Sequence, residues 1–526
     1  MRVALTSAFY LFGFSVTLSA QTVTLNAVMN NASYALPGTP NEAIAQGSIF
    51  ALFGANLAPE GLWQVSQFPL RASTPAGTSA KVTVSGITVD ALPIYTTPKQ
   101  VGAILPSNCP VGEGTVTLTY NGQTSAPIRI RVARSTFGIF SSNQQGSGPA
   151  AAQNFNSASD QPLNSLDRAA TPGQTMILWG TGLGPITAPD NGPPPVGDVP
   201  VNLTLWVGGR PALVLYKGRS GCCAGIDQII FSVPEDVEGC YVPIAVETDG
   251  IISNFTSIAV ARRNGQCLLS GWPRDAPRPS KIDHPRYGQI LFVRATEHSY
   301  SDSTMVGFEA VFGRSGSPID GSDYPPIGSC TVTSTRANDV SSDSPVEPLE
   351  AGDLNLSGPI SGVFTPSAPG LYFEYGHLSS GFPSGTYTID NGAGGRDVKS
   401  FNTSFTIDEP LLWLNRAEYY KVSVAREKGL KVAWSTPATD GMILINGSSS
   451  IRSTVPAVVS EFVCAAPVAA REFTVPAYVL RSLPTSSNYG YLAVMRLLTS
   501  SFTAEGLDVG FLGYLEGGYT QEFFYK

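Results

Sequence analysis

Apolar and polar residues in this chain alternate over short runs instead of recurring at helical spacing. Lys81-Val-Thr-Val-Ser-Gly86, Gly114-Thr-Val-Thr-Leu-Thr-Tyr-Asn-Gly122 and Ile128-Arg-Ile-Arg-Val132 switch character at every residue. That is the pattern of strands with one face in a core and one in water. Two stretches each hold a continuous apolar run, Ile49 to Ala55 and Met176 to Gly180: Gly47-Ser-Ile-Phe-Ala-Leu-Phe-Gly-Ala-Asn-Leu-Ala-Pro59 and Gly173-Gln-Thr-Met-Ile-Leu-Trp-Gly-Thr-Gly-Leu-Gly-Pro185. Each opens on a glycine turn and closes on Gly-x-x-Leu-x-Pro, which predicts a buried strand running into a tight loop. Asn121-Gly122 predicts a hairpin turn. The pattern predicts an all-β chain of serial β-sandwiches.

The two apolar runs belong to a longer repeat. Gly47, Gly54, Leu57 and Pro59 fall on Gly173, Gly180, Leu183 and Pro185, each 126 positions on. Leu203 to Gly208 answers Val82 to Gly86, and Leu213 to Tyr216 answers Leu92 to Tyr95. The shift is 121 at Tyr95 and Tyr216, then 128 at Gln100 and Gln228, Pro106 and Pro234, Gly122 and Gly250, and Ser125 and Ser253. The second copy is therefore shorter in its early loop and seven residues longer between Tyr216 and Gln228. Length changes confined to loops are what a structural repeat predicts. Each copy has room for about seven strands in about 110–125 residues, the size of an immunoglobulin-like sandwich.

Asn30-Asn-Ala-Ser-Tyr34, the Gly47–Pro59 run, Gln100-Val-Gly-Ala-Ile-Leu-Pro106, Ala151-Ala-Gln-Asn154 and Gly180-Thr-Gly-Leu-Gly-Pro185 occur in that order. Together they resemble an uncharacterised family, the C-terminal-type repeat domain of Solibacter-like acidobacteria, found in large secreted proteins. Each half is also similar to an IPT/TIG-type immunoglobulin-like domain. The resemblance covers residues 23–267 and implies an extracellular pair of sandwiches of unassigned activity, with no catalytic residues to carry over. Here the pair is followed by about 260 further residues, which departs from the family's usual placement.

Composition sharpens the picture. Gly 54, Pro 41 and a charged fraction of only 14% suit many strands joined by turns. A net charge of −8 and a pI near 5.1 disfavour nucleic acid as a partner. Residues 1–20 match a signal peptide: Arg2, an apolar stretch from Ala8 to Val16, and Leu18-Ser19-Ala20. The expected location is therefore secreted, extracellular or at the cell surface, with no transmembrane segment after signal cleavage.

In an exported protein the cysteines favour disulfides over metal. Cys222 and Cys223 lie in the seven-residue insertion, Cys240 opens a later strand and Cys267 follows the last one. Two disulfides are expected among these four. Bridging each vicinal cysteine to Cys240 or Cys267 would pin the insertion and final strand, with the pairing left open. Cys109, Cys330 and Cys464 form an odd set, so at least one thiol is expected to be unpaired or bonded between chains.

These signals predict domains at 21–134 and 135–267, a Pro-rich linker at 268–285, a third sandwich at 286–410 and a fourth at 411–526. Leu430-Lys-Val-Ala-Trp434 in the fourth resembles a fibronectin-type strand. Asp390-Asn-Gly-Ala-Gly-Gly-Arg-Asp397 reads as a hairpin connection: it lacks phosphate-loop and EF-hand spacing, though two Asp and an Asn are potential calcium ligands in an irregular loop. Asp320 with Asp323, and Asp339 with Asp343, are read the same way. No other cofactor is expected.

No Gly-x-Ser-x-Gly or His-Glu-x-x-His motif occurs, and His284, His298 and His377 are scattered. Gln100 and Gln228, equivalent in both copies, are expected to satisfy loop backbone groups. Trp179, Trp206 and Trp434 sit within strand patterns and are assigned to cores, whereas Trp63 and Trp272 lie in loops and are candidate contacts to a sugar or partner. The reading is an exported non-catalytic β-sandwich array for cell-surface adhesion, scaffolding or binding of an extracellular protein or glycan. The alternatives are a carbohydrate-binding accessory protein and a secreted hydrolase with its site in 286–526.

Overall fold

The computed structural model describes residues 22–192, 196–262, 267, 269, 284–299, 302–315, 324–337, 346–376, 382–451, 456–486 and 490–526. The expected signal segment, nearly all of the 268–285 linker with Trp272, His377, and Asp320, Asp323, Asp339 and Asp343 lie outside the described residues. The fold is all-β, built of β-sandwiches, with one five-residue α-helix among the described residues.

The first copy contains β1 (Thr24–Asn30), β2 (Ile49–Ala55), β3 (Ser79–Val84), β4 (Leu92–Thr96), β5 (Gln100–Ile104), β6 (Gly112–Tyr120) and β7 (Ile128–Ala133). One sheet runs β1-β2-β5-β4, and β7-β6-β3 faces it. The second copy contains β8 (Thr175–Thr181), β9 (Leu203–Val207), β10 (Leu213–Arg219), β11 (Asp227–Ser232), β12 (Gly239–Thr248) and β13 (Thr256–Val260). Its sheets β8-β11-β10 and β9-β12-β13 reproduce the first copy's pairing. Alternation explains both cores. In β3, Ala80, Val82 and Val84 point inward while Lys81 pairs with Asp90 outside, and in β11 Ile229 and Phe231 are buried.

The recurring glycine has a steric cause. A Cβ on Gly54 would lie 1.9 Å from the Thr24 carbonyl oxygen, and one on Gly180 would lie 2.1 Å from the Phe137 ring. In each copy an adjacent segment crosses closely over the strand, so only glycine fits. Asn121 and Gly122 both have positive φ, 49° and 73°, as a type I′ turn requires.

The remainder adds β14 (Arg286–Glu297), β15 (Ser303–Arg314), β16 (Cys330–Arg336), β17 (Leu354–Ser357), β18 (Leu371–Gly376), β19 (Gly385–Asp390), β20 (Asn402–Ile407), β21 (Leu430–Ser435), β22 (Met442–Ile451), β23 (Val458–Pro467), β24 (Glu472–Val475), α1 (Ala477–Arg481), β25 (Gly490–Phe502) and β26 (Val509–Tyr525). Two small sheets, β17-β19-β20 and β21-β24, each cover a separate core, one around Phe292, Phe308, Tyr387 and Phe405, the other around Trp434, Ile443, Phe462 and Tyr525. Both cores rest on one ten-stranded sheet, ordered β16-β23-β22-β25-β26-β14-β15, with β18 on β15.

The expected division into independent sandwiches at 286–410 and 411–526 therefore does not hold. β14 pairs in parallel with β26, Tyr287–Glu297 against Val509–Tyr519. β16 leaves the 286–410 segment to pair with β23, where Cys330 and Cys464 form a disulfide. Each strand carries the pattern expected of it, but alternation identifies the buried face and not the neighbouring strand. A buried Arg496–Glu516 pair (3.4 Å) joins β25 to β26, and Arg496 also reaches Asp408 just beyond β20 (3.3 Å). Accordingly, a 286–410 fragment is expected to show no cooperative thermal transition, while 284–526 shows one, as measured by circular dichroism.

Candidate binding site

The glycine-framed motifs of the two copies meet at an interface whose centre is an ion pair. Arg219 ends β10 and Asp227 opens β11, opposite each other across a hairpin, and they are 1% and 0% exposed. The Arg219 guanidinium donates to the Asp227 carboxylate. The second Asp227 oxygen accepts from the Gly182 and Leu183 amides (2.6 and 2.7 Å). Arg219 also donates to the carbonyls of Gly184 (2.8 Å) and, in the first copy, Gly47 (3.2 Å). Thr181 Oγ1 accepts from the Ile49 amide (2.9 Å) and donates to the Gly225 carbonyl (2.6 Å). Burial pushes the Asp227 carboxyl above its ordinary range, while Arg219 and the two amides pull the other way.

The insertion of the second copy lies between this pair in sequence and docks on the first copy. Ala224 and Ile226 pack against Ile49, Leu70 and Ile104. A Cβ on Gly225 would meet Ile49 at 2.7 Å and Ile104 at 2.9 Å, so the approach requires glycine. Cys222 and Cys223 are bonded to each other, and Cys240 bonds Cys267. The expected cross-links between the vicinal pair and Cys240 or Cys267 do not form. The insertion packs toward the first copy, whereas Cys240 and Cys267 share a cluster with Ala259 and Ala261 at the far strands. Cys109 is the free thiol, buried, and desolvation pushes it up to about 11.

The second copy also packs on the C-terminal unit. Trp206 stacks on Tyr478 of α1 (4.4 Å, 7° between planes), and Arg481 pairs with Glu247 at 2.7 Å. Where all three units meet there is an open cleft of about 640 Å³. The first copy contributes Ala27, Met29, Tyr34, Asn41 and Phe53, and the second Gln145, Ser147 and Phe255. The C-terminal unit contributes five successive residues of β16, Val332 to Arg336. Amides, hydroxyls, three aromatic rings and one guanidinium line it. Among the described residues no carboxylate, histidine or cysteine does.

The residues singled out from sequence go elsewhere. Trp63 is half-buried in a short strand paired to β4. The Gln100 amide donates to the Tyr95 hydroxyl (2.7 Å), which donates to Asn31 (2.6 Å), and burial pushes Tyr95 up to about 12. Gln228 is half-buried in β11 beside Trp179. Trp434 is core, with its indole on the Val468 carbonyl, whereas Trp179 and Trp206 are only partly buried.

His284 sits at the surface, 3.3 Å from the Ser315 carbonyl. His298 does lie beside a carboxylate, Asp302, at 3.3 Å, but Asp302 is also paired with Arg416 and the imidazole packs on Gly518 and Trp413. Burial lowers its pKa against the pull of Asp302. The Asp390–Asp397 loop joins β19 to β20 as a hairpin. Hydrogen bonds from Arg396 and the Glu350 amide hold the Asp397 carboxyl down at about 2, and Asp390 accepts from Gly392 and Asn355. The cleft was not visible in sequence, because its walls come from three units joined only by packing.

No family model matches the chain, and no curated protein matches it. Among solved structures it is similar to a gamma-CGTase from Alkalophilic bacillus clarkii (11% identity, 68% of this chain and 37% of that one, TM-score 0.17). It is also similar to the Bacteroides ovatus SGBP-B in complex with a mixed-linkage heptasaccharide (10% identity, 64% and 67%, TM-score 0.20). A third is domains 5–6 of the S-layer protein SbsC (11% identity, 46% and 100%, TM-score 0.17). No functional conclusion follows from likenesses this slight.

Removing one member of a buried, hydrogen-bonded ion pair costs about 3–5 kcal/mol. Asp227→Ala is expected to lose stability on that scale, read as a lower urea midpoint. The native chain is expected to show no thiol reactive toward a chromogenic disulfide reagent, and one after denaturation without reductant.

Proposed function

We propose that this chain is an exported, non-catalytic β-sandwich array whose first half belongs with the Solibacter-type repeat domains. It serves cell-surface adhesion, scaffolding or partner binding, and the partner sits in the cleft where the three units meet. The composition of that cleft carries the reading. Its amides, hydroxyls and aromatic rings suit hydrogen bonding and apolar contact, and no carboxylate, histidine or cysteine stands among its described wall residues to activate a hydroxyl. Three disulfides support an oxidising location. No helix among the described residues is long and apolar enough to cross a membrane.

The hydrolase reading would need a substrate space beside His298 or His377; His377 lies outside the described residues, and His298 is absent from the described walls of the cleft and only 11% exposed. A glycan is the second reading for the cleft. It is favoured by the pairing of Tyr34 and Phe53 (6.2 Å between rings) with a lining of amides and hydroxyls, instead of by Trp63.

The test is a screen of the full-length secreted protein against a glycan array and a peptide library, repeated with Tyr34→Ala and Gln145→Ala. Truncating a central contact typically costs about 1–2 kcal/mol, so a roughly tenfold weaker Kd at an unchanged melting temperature is expected. Equal binding by wild type and both variants would remove the cleft from consideration.

A further inference from the structure

We infer that the cleft takes an extended peptide segment without basic side chains that adds as a strand to the free edge of β16; this rests on the reading of the cleft as a binding site. Among the described strands β16 ends its sheet and pairs with β23 alone. A strand that showed the cleft only a face would contribute alternate residues. β16 contributes Val332, Thr333, Ser334, Thr335 and Arg336 in succession, so its backbone edge forms the wall.

The direction of that backbone can be worked out. Cys330 and Cys464 are register partners with Cα atoms 4.0 Å apart. That places them with non-hydrogen-bonded pairs, near ~4.5 Å, and not with hydrogen-bonded ones, near ~5.5 Å. The flanking bonds agree: the Ala465 amide donates to the Ser329 carbonyl (3.0 Å) and the Ala337 amide to the Ala457 carbonyl (2.8 Å). Odd-numbered residues of β16 therefore turn their amides and carbonyls to β23. Val332 and Ser334 turn theirs away from it, toward the cleft.

An open edge is a template for another strand, and proteins usually block it with proline, lysine, a bulge or a covering segment. Three other edges among the described residues are blocked. The short edge strands Arg210–Pro211 and Glu347–Pro348 carry proline. β13 is covered by the 148–170 segment, through bonds between Ala150 and Ser257 and between Ala170 and Ala259. β16 reads Cys-Thr-Val-Thr-Ser-Thr-Arg, with no proline, lysine or acidic residue, and its register runs without a bulge. Thr333, Ser334 and Thr335 are exposed. Strand addition draws affinity from main-chain bonds and specificity from pockets for alternate side chains. Here Met29, Phe53 and Phe255 supply apolar contact, and the described lining holds no carboxylate as a counter-charge for a basic side chain.

The test uses the full chain and a phage-displayed library of random peptides, with a selected peptide then titrated by fluorescence anisotropy. Ser334→Pro removes an amide directed at the cleft and none directed at β23, a position where an edge strand tolerates proline. Losing one or two such bonds predicts a Kd about tenfold weaker. N-methylating alternate amides of the peptide gives the same test without touching the protein: one alternate set should weaken binding about tenfold and the other should not. Equal loss from both sets, or binding unaffected by Ser334→Pro, overturns the proposal. A neutral oligosaccharide that binds with Ser334→Pro unchanged but weakens with Tyr34→Ala overturns it too, while leaving the cleft as a binding site. No ligand from either library overturns both readings.

Discussion

The Arg219–Asp227 pair is the constraint on which the arrangement of the first half depends. It is fully buried, so its charges are tolerable only because both Asp227 oxygens and both terminal guanidinium nitrogens are hydrogen-bonded. Beyond each other, their partners are the Gly182 and Leu183 amides and the carbonyls of Gly184 and Gly47. Those groups are backbone atoms of the two glycine-framed motifs, one from each copy. Local loop shape and the docking of one sandwich on the other are thus the same requirement. A surface ion pair would not couple them, because solvent would satisfy either charge alone.

The pair also explains the one place where the second copy is longer. The added residues between Tyr216 and Gln228 carry Ala224, Gly225 and Ile226 onto the first copy's outer sheet and end on Asp227. Sequence pointed to this insertion as the distinctive part of the second copy and suggested that disulfides staple it to its own sandwich. The staple is instead noncovalent and reaches the other copy. Adjacent cysteines offered no signal for this, since spacing along the chain does not say which way a loop turns.

The second half shows a different limit. A strand position was legible there: the Leu430–Trp434 pattern falls within β21. The expected division into two segments does not hold, because β14, β16 and β26 find partners outside their own segment. The free-energy gain from burying an apolar face is the same whichever strand lies alongside, so pairing is decided by the global competition among strands. The cleft inherits this: β16 is a wall of it only because the strand crossed to the far edge of the shared sheet.

By itself the sequence determined what is local and periodic: an all-β chain, the tandem repeat with its recurring glycines, and the Asn121-Gly122 turn. These follow from steric limits on backbone and from which face of a strand is apolar. Only the tertiary structure decided what is non-local. That includes the pairing of Cys222 with Cys223, the joining of two cores on one sheet, and a cleft lined by three units. Each depends on contacts between residues far apart in the chain, and such contacts leave no period in the sequence. The glycine-framed motif belongs to both classes, a strand end by its local pattern and half of an interface by its partners.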